Sequence, residues 1–149
     1  MNEARVYLDT SMLVKRYVKE EGSEITDEYF RMAQRGEAVL CLSEINLGEA
    51  AVVFDKYSRR TGIDARVLLE TMLSELERLE RSSSVEIYPV DSDMMRRAIK
   101  TVLTFHIFIN DAIQLETCAG AGGTMFCSAD RELNSAAGEL GIATVGQYN

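Results

Sequence analysis

Four acidic residues stand where an ionised side chain is hardest to justify. In VYLDTSMLVKRY, residues 6–17, Asp9 follows a short apolar run directly, and Asp130 closes TMFCSAD, residues 124–130, in the same way. Glu49 is the only charge in NLGEAAVVF, residues 46–54, and Asp111 is the only acid in TFHIFINDAIQL, residues 104–115. Ionised carboxylates are rarely buried without a partner. Singly, each has an ordinary reading: Asp9 as a helix N-cap, Glu49 as a helix acid facing solvent, Asp111 as a first-turn acid favoured by the helix dipole. Gathered in one place, they pose an electrostatic problem. Two like charges about 5 Å apart repel by about 3 kcal/mol at an effective dielectric of 20, so such a group must be partly protonated or bind cations. An oxygen-only set without His or Cys suits Mg²⁺ or Mn²⁺ rather than Zn²⁺. Cations held this way activate water and clamp phosphoryl oxygens during in-line displacement, the chemistry of phosphodiester hydrolysis.

The elements around these residues decide whether they can meet. Arg5–Leu8, Ala38–Leu42, Val85–Val90, Thr124–Cys127 and Ile142–Val145 are short, apolar and β-branched, and are bounded by turn or cap residues, which predicts five strands. Amphipathic stretches lie between them. In IDARVLLETMLSELERLER, residues 63–81, Ala65, Leu69, Met72, Leu73, Leu76 and Leu79 recur at three-and-four spacing against a charged face, which predicts a helix. Ser43 and Asp91 are suited to cap helices beginning at 44 and 92, and Gly36 and Gly141 to end the helical stretches before them. RSSS at 81–84 and GAGG at 120–123 read as connecting loops. At least one helix separates each strand from the next, so parallel crossovers follow and the class is α/β. In an open parallel sheet, ligands bind beyond the carboxyl ends of the strands. Asp9 and Asp130 would lie on that edge, and Glu49 and Asp111, on helices after strand two and before strand four, can face it.

Other side chains are open to two uses. Lys15 and Arg16 lie shortly after Asp9, and Arg131 follows Asp130, so each is placed to meet a phosphate or to lie on a solvated helix face. Lys56, Arg59 and Arg60 close one helix, where cations suit the dipole in any case, and Arg96, Arg97 and Lys100 cluster on another. The single histidine, His106, excludes a two-histidine ribonuclease mechanism, and its apolar neighbours favour a structural place. Glu44 and Glu49, five residues apart, are about 140° apart around a helix and cannot both face one pocket. Met94 and Met95 are candidates for a dimer or partner surface.

Bulk properties narrow the class. A chain of 149 residues and 16.6 kDa is expected to form one domain, 1–149. A formal net charge of -8 argues against coating nucleic acid by charge alone; contact with a polyanion must be local or cation-mediated. Cys41, Cys118 and Cys127 sit singly in apolar surroundings with no C-x-x-C pair, as reduced core thiols of a cytoplasmic protein do. No apolar run approaches the length of a membrane span.

With these residues in view, the chain resembles the PIN-domain family of metal-dependent nucleases, particularly the VapC-type toxin ribonucleases. The resemblance rests on VYLDTSMLVKRYVKEEGSE at 6–24, LSEINLGEA at 42–50, INDAIQLET at 109–117 and MFCSADRELNSAAGELGIATV at 125–145, in the family's order. It implies that Asp9, Glu49, Asp111 and Asp130 form the family's acidic quartet, binding Mg²⁺ or Mn²⁺, and that Ser11 and Ser128 hold its hydroxyl positions. It also implies a central five-stranded parallel sheet flanked by helices on both faces, homodimerisation, an RNA substrate and a small antitoxin partner. Asn110 and Phe108 give the third motif an unusual lead-in, and Ser128 stands where threonine is frequent; neither removes an acid.

Three functions compete. The first is a divalent-metal-dependent endoribonuclease, as a toxin or in RNA processing. The second is a non-catalytic PIN module that binds RNA or protein, for which the loss of one or more acids is expected, whereas all four are present. The third is an aspartyl-phosphate enzyme or receiver domain. Ser11 occupies the position where such a phosphatase needs its second acid, and the paired acids of a receiver are missing.

Overall fold

The structure, a computed structural model, describes residues 3–122 and 124–145. Five parallel strands run β1 (Ala4–Leu8), β2 (Ala38–Ser43), β3 (Val85–Tyr88), β4 (Met125–Cys127) and β5 (Thr144–Val145), side by side in the order β3-β2-β1-β4-β5. The expected α/β class and five-stranded parallel sheet are what the molecule has. Between strands lie α1 (Thr10–Leu13), α2 (Ser23–Gln34), α3 (Glu44–Thr61), α4 (Ala65–Arg81), α5 (Ser92–Phe105), α6 (Ile109–Gly120) and α7 (Arg131–Glu139), with a 3-10 turn at Val14–Arg16 after α1. β3 stops at Tyr88 rather than Val90 because Pro89 has no N–H to give the ladder. β5 is shorter than the expected 142–145. Of the GAGG loop, Gly120 closes α6 and Gly123 lies outside the described residues.

Strand periodicity divides the core. Val6, Leu8, Leu40 and Leu42 face one side, against Phe30, Phe54, Met72 and Leu76 of α2, α3 and α4. Tyr7, Val39, Cys41 and Phe126 face the other, against Leu115 and Cys118 of α6 and Leu133 of α7. Helices therefore cover both faces. In α4, Met72, Leu76 and Leu79 are buried as expected, but Leu73 is 41% exposed. Glu75 is buried instead, because it pairs with Arg16.

Predicted helix punctuation is present in full. Ser43 caps α3 and Asp91 caps α5 through side-chain bonds to backbone N–H groups. Gly36 and Gly141, after α2 and α7, take the left-handed backbone conformation that glycine adopts without strain. His106 ends α5 in that same conformation (φ 57°), a structural place as a helix stop on the surface rather than in the core. Cys41, Cys118 and Cys127 are all buried free thiols, and burial pushes Cys118 and Cys127 up to about 12. No helix among the described residues is long and apolar enough to cross a membrane.

Candidate active site

The chain reverses its direction of travel across the sheet at β1. β2 and β3 lie on one side of it and β4 and β5 on the other, so the loops after β1 and β4 part and leave a crevice at their carboxyl ends. Asp9 follows β1 and Asp130 follows β4 by three residues. A cavity of about 390 Å³ opens there, and Asp9, Glu49, Asp111 and Asp130 all line it. Ser11 lines it as well, while Ser128 sits fully buried behind Asp9.

Asp9 is both a helix cap and a site residue, so the two readings of it do not exclude one another. Its Oδ1 accepts from Met12 N at 2.9 Å and from Ser11 Oγ at 2.6 Å, and its Oδ2 accepts from Ser128 Oγ. Burial pushes the Asp9 carboxyl up, and the charge of Asp130 adds to this; the bonds from Ser11, Ser128 and Met12 N pull the other way. Asp130 caps α7 through Leu133 N at 3.1 Å, and its own N–H donates to Ser128 Oγ at 3.0 Å. Ser128 therefore ties the two strand-end acids to one hydroxyl.

Glu49 is held by a polar chain that begins at fixed backbone donors. Asn46 Oδ1 accepts from Ser43 N at 2.8 Å and from the buried Tyr7 hydroxyl. Its amide nitrogen must then point away, where it donates to Thr10 Oγ1 at 2.9 Å and to Gln114 Oε1 at 2.8 Å. Gln114 Oε1 also accepts from Thr10 N at 3.2 Å, which turns its Nε2 toward Glu49 Oε1 at 3.2 Å. Thr10 Oγ1, already accepting from Asn46, donates to Glu49 Oε1 at 2.6 Å, and Asn110 Nδ2 donates to Oε2 at 3.3 Å. Every one of these groups presents a donor to Glu49, so the network fixes where its carboxyl group points. Thr10, Asn46 and Gln114 are functional residues that sequence reasoning missed; the one available signal was the S-x-x-N spacing of Ser43 and Asn46, a capping box.

Asp111 feels burial and the rest of the cluster together. Its carboxyl is pushed up to about 6, first by burial and then by the charges of Glu49, Asp130 and Asp9. All three other acids therefore act on it through space. Among the described residues, no three His, Cys, Asp or Glu side chains are gathered closely enough to hold a metal ion as they stand. The physical reason is visible in the bonds above: Asp9 and Glu49 are turned onto neutral hydroxyl and amide donors. The donor set nonetheless fits a hard divalent cation, being all oxygen, and the repulsion felt by Asp111 is what such an ion would relieve.

The PIN domain family profile matches residues 6–139. The chain belongs to the PIN domain family. No curated protein matches it in sequence. Its fold is shared with PAE2754 from Pyrobaculum aerophilum, at a TM-score of 0.63 and 16% identity over 95% of this chain and 84% of the other. It is shared with FitAB bound to an IR36 DNA fragment, at 0.63 and 16% over 95% and 94%. VapBC2 from Rickettsia felis, bound to a DNA fragment from its promoter, aligns at 0.61 and 15% over 97% and 99%. Within this PIN domain the cations near the acids are differently placed. Lys15 Nζ bonds Glu20 at 2.9 Å and the Glu21 carbonyl at 2.8 Å. Arg16 is committed to Glu75 at 2.8 Å and Asp27 at 3.0 Å, over the Phe30 ring. Arg131 opens α7 on the surface beside Asp130. Glu44 is exposed in the first turn of α3, away from the cavity that Glu49 lines.

Proposed function

We propose that this PIN-domain protein is a divalent-cation-dependent endoribonuclease that hydrolyses RNA phosphodiester bonds, and that it is the toxin of a toxin–antitoxin pair. One observation carries the reading: four acids distant in sequence line one cavity at the sheet's switch point, where burial first and then the charges of the other three push Asp111 up to about 6. Asp9, Glu49, Asp111 and Asp130 would hold Mg²⁺ or Mn²⁺, which supplies water activation and charge neutralisation at the scissile phosphate. Ser11 and Ser128 fix the rotamer of Asp9, and the Thr10–Gln114 pair keeps Glu49 aimed. A bound cation would favour the ionised form of Asp111, so a proton it carries near pH 6 would leave on binding. Arg131, next to Asp130 in the chain, is placed for a flanking phosphate, and Lys15 would reach one by exchanging Glu20 for it; Arg16 serves by bracing the 3-10 turn after α1.

The partner reading draws on FitAB and VapBC2, which share the fold and were solved on DNA. With a formal net charge of -8, this chain is poorly suited to hold DNA itself, so a small antitoxin would supply that contact and cover the cavity. Homodimerisation and a cytoplasmic location belong to the same reading. The test is a purified cleavage assay on labelled RNA with Mn²⁺ or Mg²⁺. Wild type should cut, chelation should stop it, and Asp9→Asn should abolish cleavage with its circular dichroism unchanged. Wild-type cleavage by Asp9→Asn refutes the assignment. Co-expression with the reading frame abutting its gene should yield a stable, inactive complex, and failure of any such complex removes the toxin role.

A further inference from the structure

We infer that His106 is the proton donor to the departing sugar oxygen when a phosphodiester is hydrolysed at the acid cavity. The inference rests on the nuclease reading and adds a residue to its chemistry.

Hydrolysis at phosphorus forms a bond from a water oxygen to phosphorus and breaks the bond from phosphorus to one sugar oxygen, which leaves with the electron pair. The water sheds a proton, and carboxylates with their cation serve that side. The departing oxygen is a strong base and is best met by a proton. Nothing in the acid cavity is suited to supply it, because beyond its four acids the lining is hydroxyl, amide and apolar. A recess of about 110 Å³ shares Asp111, Asp130 and Leu133 with that cavity, and His106 lines it. Among the residues lining either space there is no Lys or Arg, so His106 alone can carry a positive charge there. The recess has room for about three or four waters, which puts the ring beside the acids rather than across the molecule from them.

The backbone under this ring argues that the side chain is kept for its chemistry. His106 ends α5 at φ 57° and ψ 43°, with its N–H donating to Val102 O at 2.8 Å. Gly62 ends α3 in the same way, at φ 81°, donating to Ser58 O at 2.8 Å. A left-handed stop strains a residue with a Cβ and leaves glycine unstrained. Ser83, the other non-glycine in this conformation among the described residues, precedes β3 at the edge of the sheet away from the acids. No bond compensates His106 for the strain: it is exposed, and its imidazole makes no hydrogen bond or ion pair with a described residue. Lys15 and Arg16, by contrast, are held by carboxylates. The groups facing the ring across the recess are Asp111 of α6 and Asp130 and Glu132 where α7 begins, all acids. A cation also suits the C-terminal end of a helix, and imidazole is the side chain that exchanges a proton near neutral pH. The ring N–H proton passes to the departing oxygen, and solvent restores it after the product leaves. One histidine suffices, because the acids and their cation activate the water.

The test pairs two variants with two substrates. Asn tolerates the left-handed conformation, so His106→Asn removes the proton donor and keeps the helix stop. An RNA oligonucleotide that the wild-type protein cuts with Mn²⁺ is remade with sulfur in place of the departing oxygen at the cut position, since a thiolate is a weak base and leaves without a proton. His106→Asn should lower kcat on ordinary RNA by roughly 10²- to 10⁴-fold, with KM little changed, and should cut the sulfur substrate as fast as wild type does. His106→Gly should lose the same activity while its Tm in chelator rises by roughly 2–5 °C. Because the chain has a single histidine, its ring gives one set of proton resonances, and Mn²⁺ bound at the acids should broaden them. Cleavage of ordinary RNA at the wild-type rate by His106→Asn, or a loss equally large on both substrates, overturns this inference and leaves the nuclease reading standing. So does a glycine variant no more stable than wild type, or a ring signal left sharp by Mn²⁺ that calorimetry shows to be bound. A wild-type protein that cuts no RNA overturns both.

Discussion

Replacing Asp111 by Asn should make the metal-free protein more stable while destroying the activity proposed for it. The carboxyl is displaced from an ordinary 3.8 to about 6, which corresponds to about 3 kcal/mol between its protonation states. The side chain lines an open cavity, so solvent screening reduces the recoverable part to about 1–2 kcal/mol. In a chain of this size that is a rise of roughly 2–8 °C in Tm. The sign with pH follows from the direction of the shift. Because the folded value lies above the ordinary one, the penalty is complete above pH 6 and fades as pH falls from about 6 toward 3.8. The gain from Asp111→Asn should therefore be full at pH 7.5 and much reduced at pH 4.5. Urea denaturation of both proteins in chelator at those two pH values measures it. A variant no more stable than wild type at pH 7.5, or one whose gain is the same at both, refutes the claim that burial and the neighbouring charges strain Asp111 in this cavity.

Gln114→Leu keeps shape but leaves Asn46 Nδ2, Thr10 N and Glu49 each short of a partner; it should cost about 1–3 kcal/mol in urea denaturation and lower cleavage. Arg16→Met strands the buried Glu75 and should cost about 2–4 kcal/mol at pH 7, measured the same way. Burial opposes ionisation of Glu75, but the bonds from Arg16 and Tyr17 and the charges of Arg16 and Arg78 outweigh it and hold the carboxyl below its ordinary 4.5. Its stabilisation is therefore present above pH 4.5 and lost as pH falls through the depressed value, and Arg16→Met should flatten that part of the acid-denaturation profile.

What the sequence disclosed depended on how local the determining interaction is. Alternation through Val6, Tyr7 and Leu8 places them on opposite faces of a strand, and caps such as Ser43 and Asp91 act within three residues, so strands and helix starts were legible. The four acids were legible because their apolar settings made them anomalous. Thr10 and Gln114 were not, since they meet each other across 104 residues and meet Asn46 across 36 and 68, and a neutral amide in a helix draws no notice. Cations were read worst. Arg16 beside Asp9 looks available until Glu75, 59 residues on, takes two of its three nitrogens and Asp27 the other, whereas Lys56 and Arg60 look like ordinary helix-end residues until the fold sets them along a groove beside Val53.

The central claim, that Asp9, Glu49, Asp111 and Asp130 make one cation site, is tested most directly by calorimetric titration with Mn²⁺ in buffers of differing ionisation enthalpy. Binding that displaces the Asp111 proton should release protons at pH 6 and almost none at pH 8. Asp111→Asn should abolish the release, and Glu49→Gln should weaken binding. A protein that takes up no Mn²⁺ at either pH, or binds it equally well after both substitutions, contradicts the account.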